Sequence, residues 1–137
     1  MTVELNYQIH GEGEPVLVLH GLFGSGRNWS SIAKQLSSHH QVITVDLRNH
    51  GNSGHDVNMG YPEMANDVIN LTQQLGLNEF SLIGHSMGGK TAMVASLLYP
   101  EAIHKLVIVD IAPVSYLTNH DDLIATMLSL PVHEIQS

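Results

Sequence analysis

The chain of 137 residues contains no cysteine, which excludes disulfides, thiolate nucleophiles and thiolate metal sites and indicates a reducing compartment only weakly. Basic residues are scarce: five Lys and Arg stand against thirteen Asp and Glu, a formal net charge of −8. Such a surface repels a phosphate backbone and an anionic bilayer, so nucleic acid and membranes are poor partners. No apolar run approaches the roughly 20 residues a membrane span needs, and Met1-Thr2-Val3-Glu4 lacks the basic-then-apolar pattern of a secretion signal. A cytoplasmic protein is therefore expected. Charged residues make up only 13% against 43% hydrophobic, too apolar for a disordered tail, and 12 glycines are too few for a fibrous repeat. The length suits one domain over residues 1–137 with a sizeable core.

Histidine, by contrast, is plentiful, with ten copies. They are scattered, and no H-e-x-x-h type zinc pairing occurs, so no metal is expected. Val3, Leu5, Tyr7 and Ile9 alternate with polar residues, the period of a strand with one wet face. Val16-Leu17-Val18-Leu19, Val42-Ile43-Thr44-Val45 and Leu106-Val107-Ile108-Val109 are nearly continuous apolar runs, and Phe80-Ser81-Leu82-Ile83 is a weaker fourth. Such runs belong to parallel strands buried on both faces. Helical patterns separate them. Asn28 or Ser30 can cap a helix through Leu36, with Trp29, Ile32, Ala33 and Leu36 on one side. Met64, Val68, Leu71 and Leu75 follow Tyr61-Pro62 at helical spacing, and Gly76 closes that helix. A third helix runs from Gly88 to Leu98, and a fourth segment from Asp122 to Leu130. The alternation predicts an α/β protein with a mostly parallel doubly wound sheet and right-handed crossovers.

Three motifs stand at strand ends. Gly84-His85-Ser86-Met87-Gly88-Gly89 follows one predicted strand and opens a helix, the context that G-x-S-x-G requires. A serine on so sharp a turn takes a strained backbone, and larger residues beside it would collide with strand and helix. The turn lifts the Ser86 hydroxyl to the sheet edge and sets the Met87 N–H at a helix N-terminus, where it can hold an oxyanion. The alternative is a Gly-rich turn whose serine only caps a helix. His20-Gly21-Leu22-Phe23-Gly24 follows the first buried strand. A second oxyanion donor is expected there, from the Leu22 N–H, since removing one donor typically costs about 3–4 kcal/mol. His20 reads as a structural residue that hydrogen-bonds the loop, with Gly21 and Gly24 permitting close approach. Asp46-Leu47-Arg48-Asn49-His50-Gly51-Asn52-Ser53-Gly54 follows the next strand, and Asp46 and Arg48 read as a loop-anchoring pair.

Together these motifs, with Gly-Gly-Lys after Met87 and Val109-Asp110-Ile111-Ala112-Pro113-Val114, resemble the α/β-hydrolase superfamily, and in particular the bacterial YbfF-type esterases and their mitochondrial relatives. The resemblance runs from about Leu5 to about Leu130. It implies hydrolysis of small carboxylic esters or thioesters through an acyl-enzyme on Ser86, without metal or organic cofactor. Leu22 and Met87 would hold the oxyanion, and Phe23, Met87 and Tyr116 would line the pocket. Residues 116–130 resemble the opening of a cap over the site.

A serine needs a base, and on this fold the triad order is Ser, acid, His. Downstream of Ser86 the candidates are His104, His120 and His133, and none has the right context. His104 precedes a strand expected to start near Lys105, His120 leads into the cap segment, and His133 has no strand before it. His85 is expected to point away from the site, and His39-His40 reads as loop. Asp110 is the preferred acid; the alternative is an aspartate fixing the Ala112-Pro113 turn. The fold normally adds two strands beside Leu106–Val109, without which that strand becomes an exposed edge. The chain therefore reads as the N-terminal part of a serine hydrolase, truncated before its last strands, and the alternative is a non-catalytic remnant lacking the triad histidine.

Overall fold

The computed structural model describes residues 1–115 and 121–129. Five strands form one sheet: β1 (Tyr7–His10), β2 (Glu14–Leu19), β3 (His40–Val45), β4 (Phe80–His85) and β5 (Ile103–Val109). Their order is β1-β3-β2-β4-β5, with β1 antiparallel to β3 and every other pair parallel. Among the described residues four α-helices accompany them: α1 (Ser30–Leu36), α2 (Tyr61–Gln74), α3 (Met87–Leu98) and α4 (Asp121–Ser129).

The uninterrupted apolar runs are explained by burial on two sides. Leu17, Leu19, Ile43, Val45 and Leu82 point to one face, where α2 and α3 cover them with Met64, Val68, Leu71, Ala92 and Ala95. Val18 and Val42 point to the other, against Ala33, Trp29 and Leu36 around α1. Neither face can be polar, so alternation disappears from these strands. The register aligns their carboxyl ends: Leu19 lies opposite Val45 and Gly84, and His85 opposite Val109. The loops after β2, β3, β4 and β5 therefore emerge along one edge of the sheet.

Several expected elements differ in detail. The alternating run from Val3 becomes a strand only at Tyr7; residues 3–6 are instead tied to loops, with Val3 N–H donating to Asp67 Oδ1 (2.9 Å) and Asn6 N–H to Ser53 Oγ (2.8 Å). Leu5 is buried, but Tyr7 and Ile9 on the edge strand are exposed. The first helix opens as a 3₁₀ turn over Gly26–Trp29, in which Asn28 Oδ1 accepts from the Ser25 N–H at 2.7 Å, and Ile32 is exposed. His40 belongs to β3 rather than to a loop, because it pairs with Glu14. The third helix starts at Met87, and β5 starts at Ile103, not near Lys105. The fourth segment is helical over Asp121–Ser129, and Leu130 lies outside the described residues. Gly76, at φ +70°, closes α2, with the Leu77 N–H donating back to Thr72 O at 2.9 Å. β5 occupies the sheet edge, leaving Leu106 38% and Val107 50% exposed. Its apolar composition suits a strand with neighbours on both sides.

One charged pair ties α2 to the loop after β3. Arg48, only 1% exposed, donates through Nε and Nη2 to both carboxylate oxygens of the buried Asp67, at 2.6 and 2.8 Å. Its remaining donors reach the carbonyls of Asn58 (2.5 Å) and Met1 (3.1 Å). The Asp67 hydrogen bonds hold the guanidinium pKa above its ordinary value against the effect of burial. Removing one partner strands a buried charge. Asp67→Ala should therefore lower unfolding stability by about 3–5 kcal/mol in urea titration, and Arg48→Met combined with Asp67→Leu should recover part of that loss.

Candidate active site

A single residue, Ser86, joins β4 to α3, and it sits at φ +52°, ψ −116°. A non-glycine residue in so sparsely populated a region costs on the order of 1–3 kcal/mol and persists only where its surroundings hold it. Here the Ser86 N–H donates to Val109 O at 3.2 Å, and its carbonyl accepts from the Lys90 N–H at 3.1 Å. The flanking glycines make the turn possible. A methyl on Gly84 would lie 2.4 Å from Gly88 O, and one on Gly88 would lie 2.4 Å from Leu19 O and 2.5 Å from His20 O. A methyl on Gly89 would meet Ile111 Cγ2 at 2.6 Å. The amino end of α3 is thus seated directly on the carboxyl end of β2.

The strain is not confined to Ser86. Among the described residues the non-glycine positions with left-handed backbone are Phe23, Asn49, Ser86 and Asp110. These fall one each on the loops after β2, β3, β4 and β5. All stand at the same sheet edge, the usual place for stored strain in an α/β site.

The Gly21–Gly24 loop lies beside the serine. A methyl on Gly21 would come within 3.4 Å of Ser86 Cβ and 3.1 Å of His85 Nδ1. The Gly24 N–H closes a turn onto Gly21 O at 3.0 Å, with Phe23 at φ +62° as its third residue. The Phe23 N–H is held by His50 Nε2 at 3.1 Å. Among the described residues no hydrogen bond engages the Leu22 N–H, and Met87, as first residue of α3, has no carbonyl within its helix to receive its own. Leu22 packs against the core, the Met87 side chain is buried in it, and the Phe23 ring is 46% exposed.

His20 is buried and bridges two loops: Nδ1 lies 2.7 Å from Gly21 O, and Nε2 accepts from the Leu47 N–H at 2.9 Å. A backbone N–H must be met by a lone pair, so these partners assign the neutral Nδ1–H tautomer. Burial pulls the His20 pKa below 6.5, against the hydrogen bond to Gly21, with nearby His50 lowering it further and Asp46 opposing. Asp46 and Arg48 are not a pair. The Arg48 guanidinium goes to Asp67, while Asp46 turns to the loops, accepting from the N–H groups of Gly26 (2.7 Å) and Asn52 (3.0 Å) and from Asn6 Nδ2 (2.9 Å). Burial raises the Asp46 pKa, but the Asn52, Gly26 and Asn6 hydrogen bonds outweigh it, and the net shift is downward. Arg48 is satisfied by its own acceptors and Asp46 by its own donors, which leaves the two nothing to exchange.

Asp110 follows β5 at φ +55° and is exposed, one residue beyond the carbonyl that receives the Ser86 N–H. The His85 ring packs near Trp29, centroids 6.1 Å apart. His104 lies at the opposite end of the sheet, with Nδ1 2.6 Å from Glu79 Oε1. Tyr116, His120 and His133 lie outside the described residues. Reading the sequence missed His50 and Asp67. Asp67 carried a signal, a carboxylate on the same helical face as Met64, Val68 and Leu71; His50, inside a polar loop, carried none.

The alpha/beta hydrolase fold model matches residues 14–130. The chain belongs to the α/β-hydrolase family. It is 40% identical to esterase YbfF of Escherichia coli over 90% of its length, and 47% identical to an sn-1-specific diacylglycerol lipase of Xenopus laevis over 82%. A solved marine microorganism esterase superposes with a TM-score of 0.91 at 42% identity, covering 99% of this chain and 55% of that one. The chain spans 49% and 38% of those two curated relatives.

Two measurements test this geometry. Gly88→Ala should destabilise the fold by about 3 kcal/mol or more in urea titration, since backbone atoms cannot yield to the new methyl. Gly76→Ala, with open space around it and only φ against it, should cost about 1 kcal/mol. A histidine whose folded pKa is depressed favours the folded state above its unfolded pKa. The His20 contribution should therefore be complete above pH 6.5 and fade as pH falls toward the lower folded value. His20→Gln should flatten the difference in unfolding free energy between about pH 7.5 and about pH 5.5.

Proposed function

We propose that the chain carries the nucleophile and oxyanion half of a serine hydrolase acting on small carboxylic esters or thioesters. The observation that carries this reading is Ser86 in its left-handed junction, one residue from the free helix end at Met87 and against the Gly21 loop. In the proposed reaction the Ser86 hydroxyl loses its proton to a base as Oγ attacks the acyl carbon. The N–H groups of Leu22 and Met87 stabilise the resulting oxyanion, the alcohol or thiol leaves with a proton, and water then releases the acid from the acyl-enzyme. Phe23 lines the acyl side, together with Tyr116 and the cap segment of residues 116–130. Asp110 serves as the acid. We assign the base to the part of the longer relatives that this chain does not match: His104 lies at the far end of the sheet, and neither His120, which leads into the cap segment, nor His133 follows a strand in the sequence. Esterase and lipase names among the relatives support the substrate class.

A second reading rests on the exposed β5 edge: a non-catalytic product that associates through Leu106 and Val107. The two separate experimentally. On the first reading, protein extended to the length of the relatives reacts at Ser86 with a fluorophosphonate probe and hydrolyses short-chain p-nitrophenyl esters. Ser86→Ala should then lower kcat by roughly 10⁴-fold or more. Undiminished turnover in that variant would sink the assignment. Absent labelling together with concentration-dependent association in sedimentation would favour the second.

A further inference from the structure

The loops after β2 and β3 are joined by a reciprocal pair of imidazoles. His20, from the first loop, accepts the Leu47 N–H of the second at 2.9 Å. His50, from the second, accepts the Phe23 N–H of the first at 3.1 Å. Each ring turns its other nitrogen to a carbonyl of its own loop, His20 Nδ1 to Gly21 O at 2.7 Å and His50 Nδ1 to Arg48 O at 2.9 Å. The rings lie 5.0 Å apart, tilted by 57°. Both Nε2 atoms face backbone donors and both Nδ1 atoms face backbone acceptors, so each ring is a neutral Nδ1–H tautomer with no freedom to exchange roles.

The peptide gripped by His50 is the one that needs holding. Phe23 is the left-handed third residue of the Gly21–Gly24 turn, a position that favours glycine or asparagine, and a bulky side chain there costs roughly 1–2 kcal/mol. Rotation of the Leu22–Phe23 peptide would relieve that strain and release the turn from the loop after β3, leaving the Leu22 N–H of the preceding peptide free to shift. The buried His50 Nε2 opposes the rotation, since release would leave that acceptor unpaired.

We infer that His50 is a positioning residue, whose Nε2 lone pair holds the Phe23 N–H and thereby fixes the turn presenting the Leu22 N–H to the oxyanion. The inference rests on the serine-hydrolase reading for the role of Leu22, and on geometry alone for the grip on Phe23. Three substitutions separate the contributions of the ring. His50→Gln places a carbonyl oxygen near the Nε2 position and can keep the grip. His50→Asn keeps a donor near Nδ1 for Arg48 O but falls short of Phe23. His50→Phe keeps the ring against His20 and loses both hydrogen bonds.

In the 137-residue chain, two-bond nitrogen–proton NMR spectra should show His50 protonated at Nδ1, with Nε2 carrying the shift of an acceptor. Hydrogen exchange of the Phe23 amide should speed up about 10-fold or more in His50→Phe and His50→Asn and stay within about 3-fold of the original in His50→Gln. Phosphonylation of Ser86, measured in protein extended to the length of the relatives so that a base is present, should follow the same order. It should slow about 10-fold in the first two variants, less than the 10² or more that losing an oxyanion donor outright produces. Core amide protection, measured in the same experiment, reports whether each variant is folded. An Nε2–H tautomer at His50, or Phe23 exchange unchanged in folded His50→Phe, overturns the grip. Phosphonylation unchanged while Phe23 exchange accelerates overturns the positioning role. If Ser86 of the extended, unsubstituted protein does not react at all, the serine-hydrolase reading and the role in it fall together, whereas the exchange data still decide the grip.

Discussion

The contact on which the site depends is the seating of the α3 amino end on the carboxyl end of β2. Gly88 faces the carbonyls of Leu19 and His20 with no room for a side chain, and Gly84 faces Gly88 in the same way. With helix and strand that close, one residue must make the whole reversal from β4 into α3. That residue takes a conformation no free serine prefers. The same closeness brings the loop after β2 against Ser86, so Ser86 and the neighbouring backbone N–H groups are placed by one packing constraint rather than by separate ones.

The edge of the sheet is held by groups that are expensive to bury alone. Asp46 gathers three donors from three different segments, Arg48 spends its fork on Asp67, and two imidazoles each accept one backbone N–H across the gap between loops. All but the Asn52–Asp46 bond span 19 to 40 residues of sequence, and each leaves an unsatisfied buried group if broken. That asymmetry makes the loops rigid without regular secondary structure. It also accounts for the concentration of left-handed residues there: Phe23, Asn49, Ser86 and Asp110 are tolerated because the network around them, not their own preference, sets the backbone.

Much of this was legible from the residues. Runs such as Val16-Leu17-Val18-Leu19 identify strands covered on both sides, and helical spacing with Gly76 at its end locates α2. Legibility failed where the neighbour decided the outcome. Leu106 and Val107 share the local signature of Leu17 and Val18, and their exposed place on an edge strand follows only from the strands the fold normally adds beside them, not from their own residues. The alternation from Val3 onward reads as a longer strand than it is, because Val3 and Asn6 give their N–H groups to side chains of distant loops. Asp46 and Arg48 stand two residues apart and look like partners, but the buried carboxylate of α2 competes for the guanidinium and wins with two hydrogen bonds.

By itself the sequence determined the α/β order of elements and the strand–serine–helix junction, because burial on two faces and a side-chain-free turn are demands that hydrophobic period and glycine spacing express locally. Only the tertiary structure decided which buried charge meets which, which nitrogen of His20 and His50 accepts and which donates, and that four strained residues share one edge. Those outcomes depend on which loops arrive together at the ends of parallel strands, and no local stretch of chain carries that information.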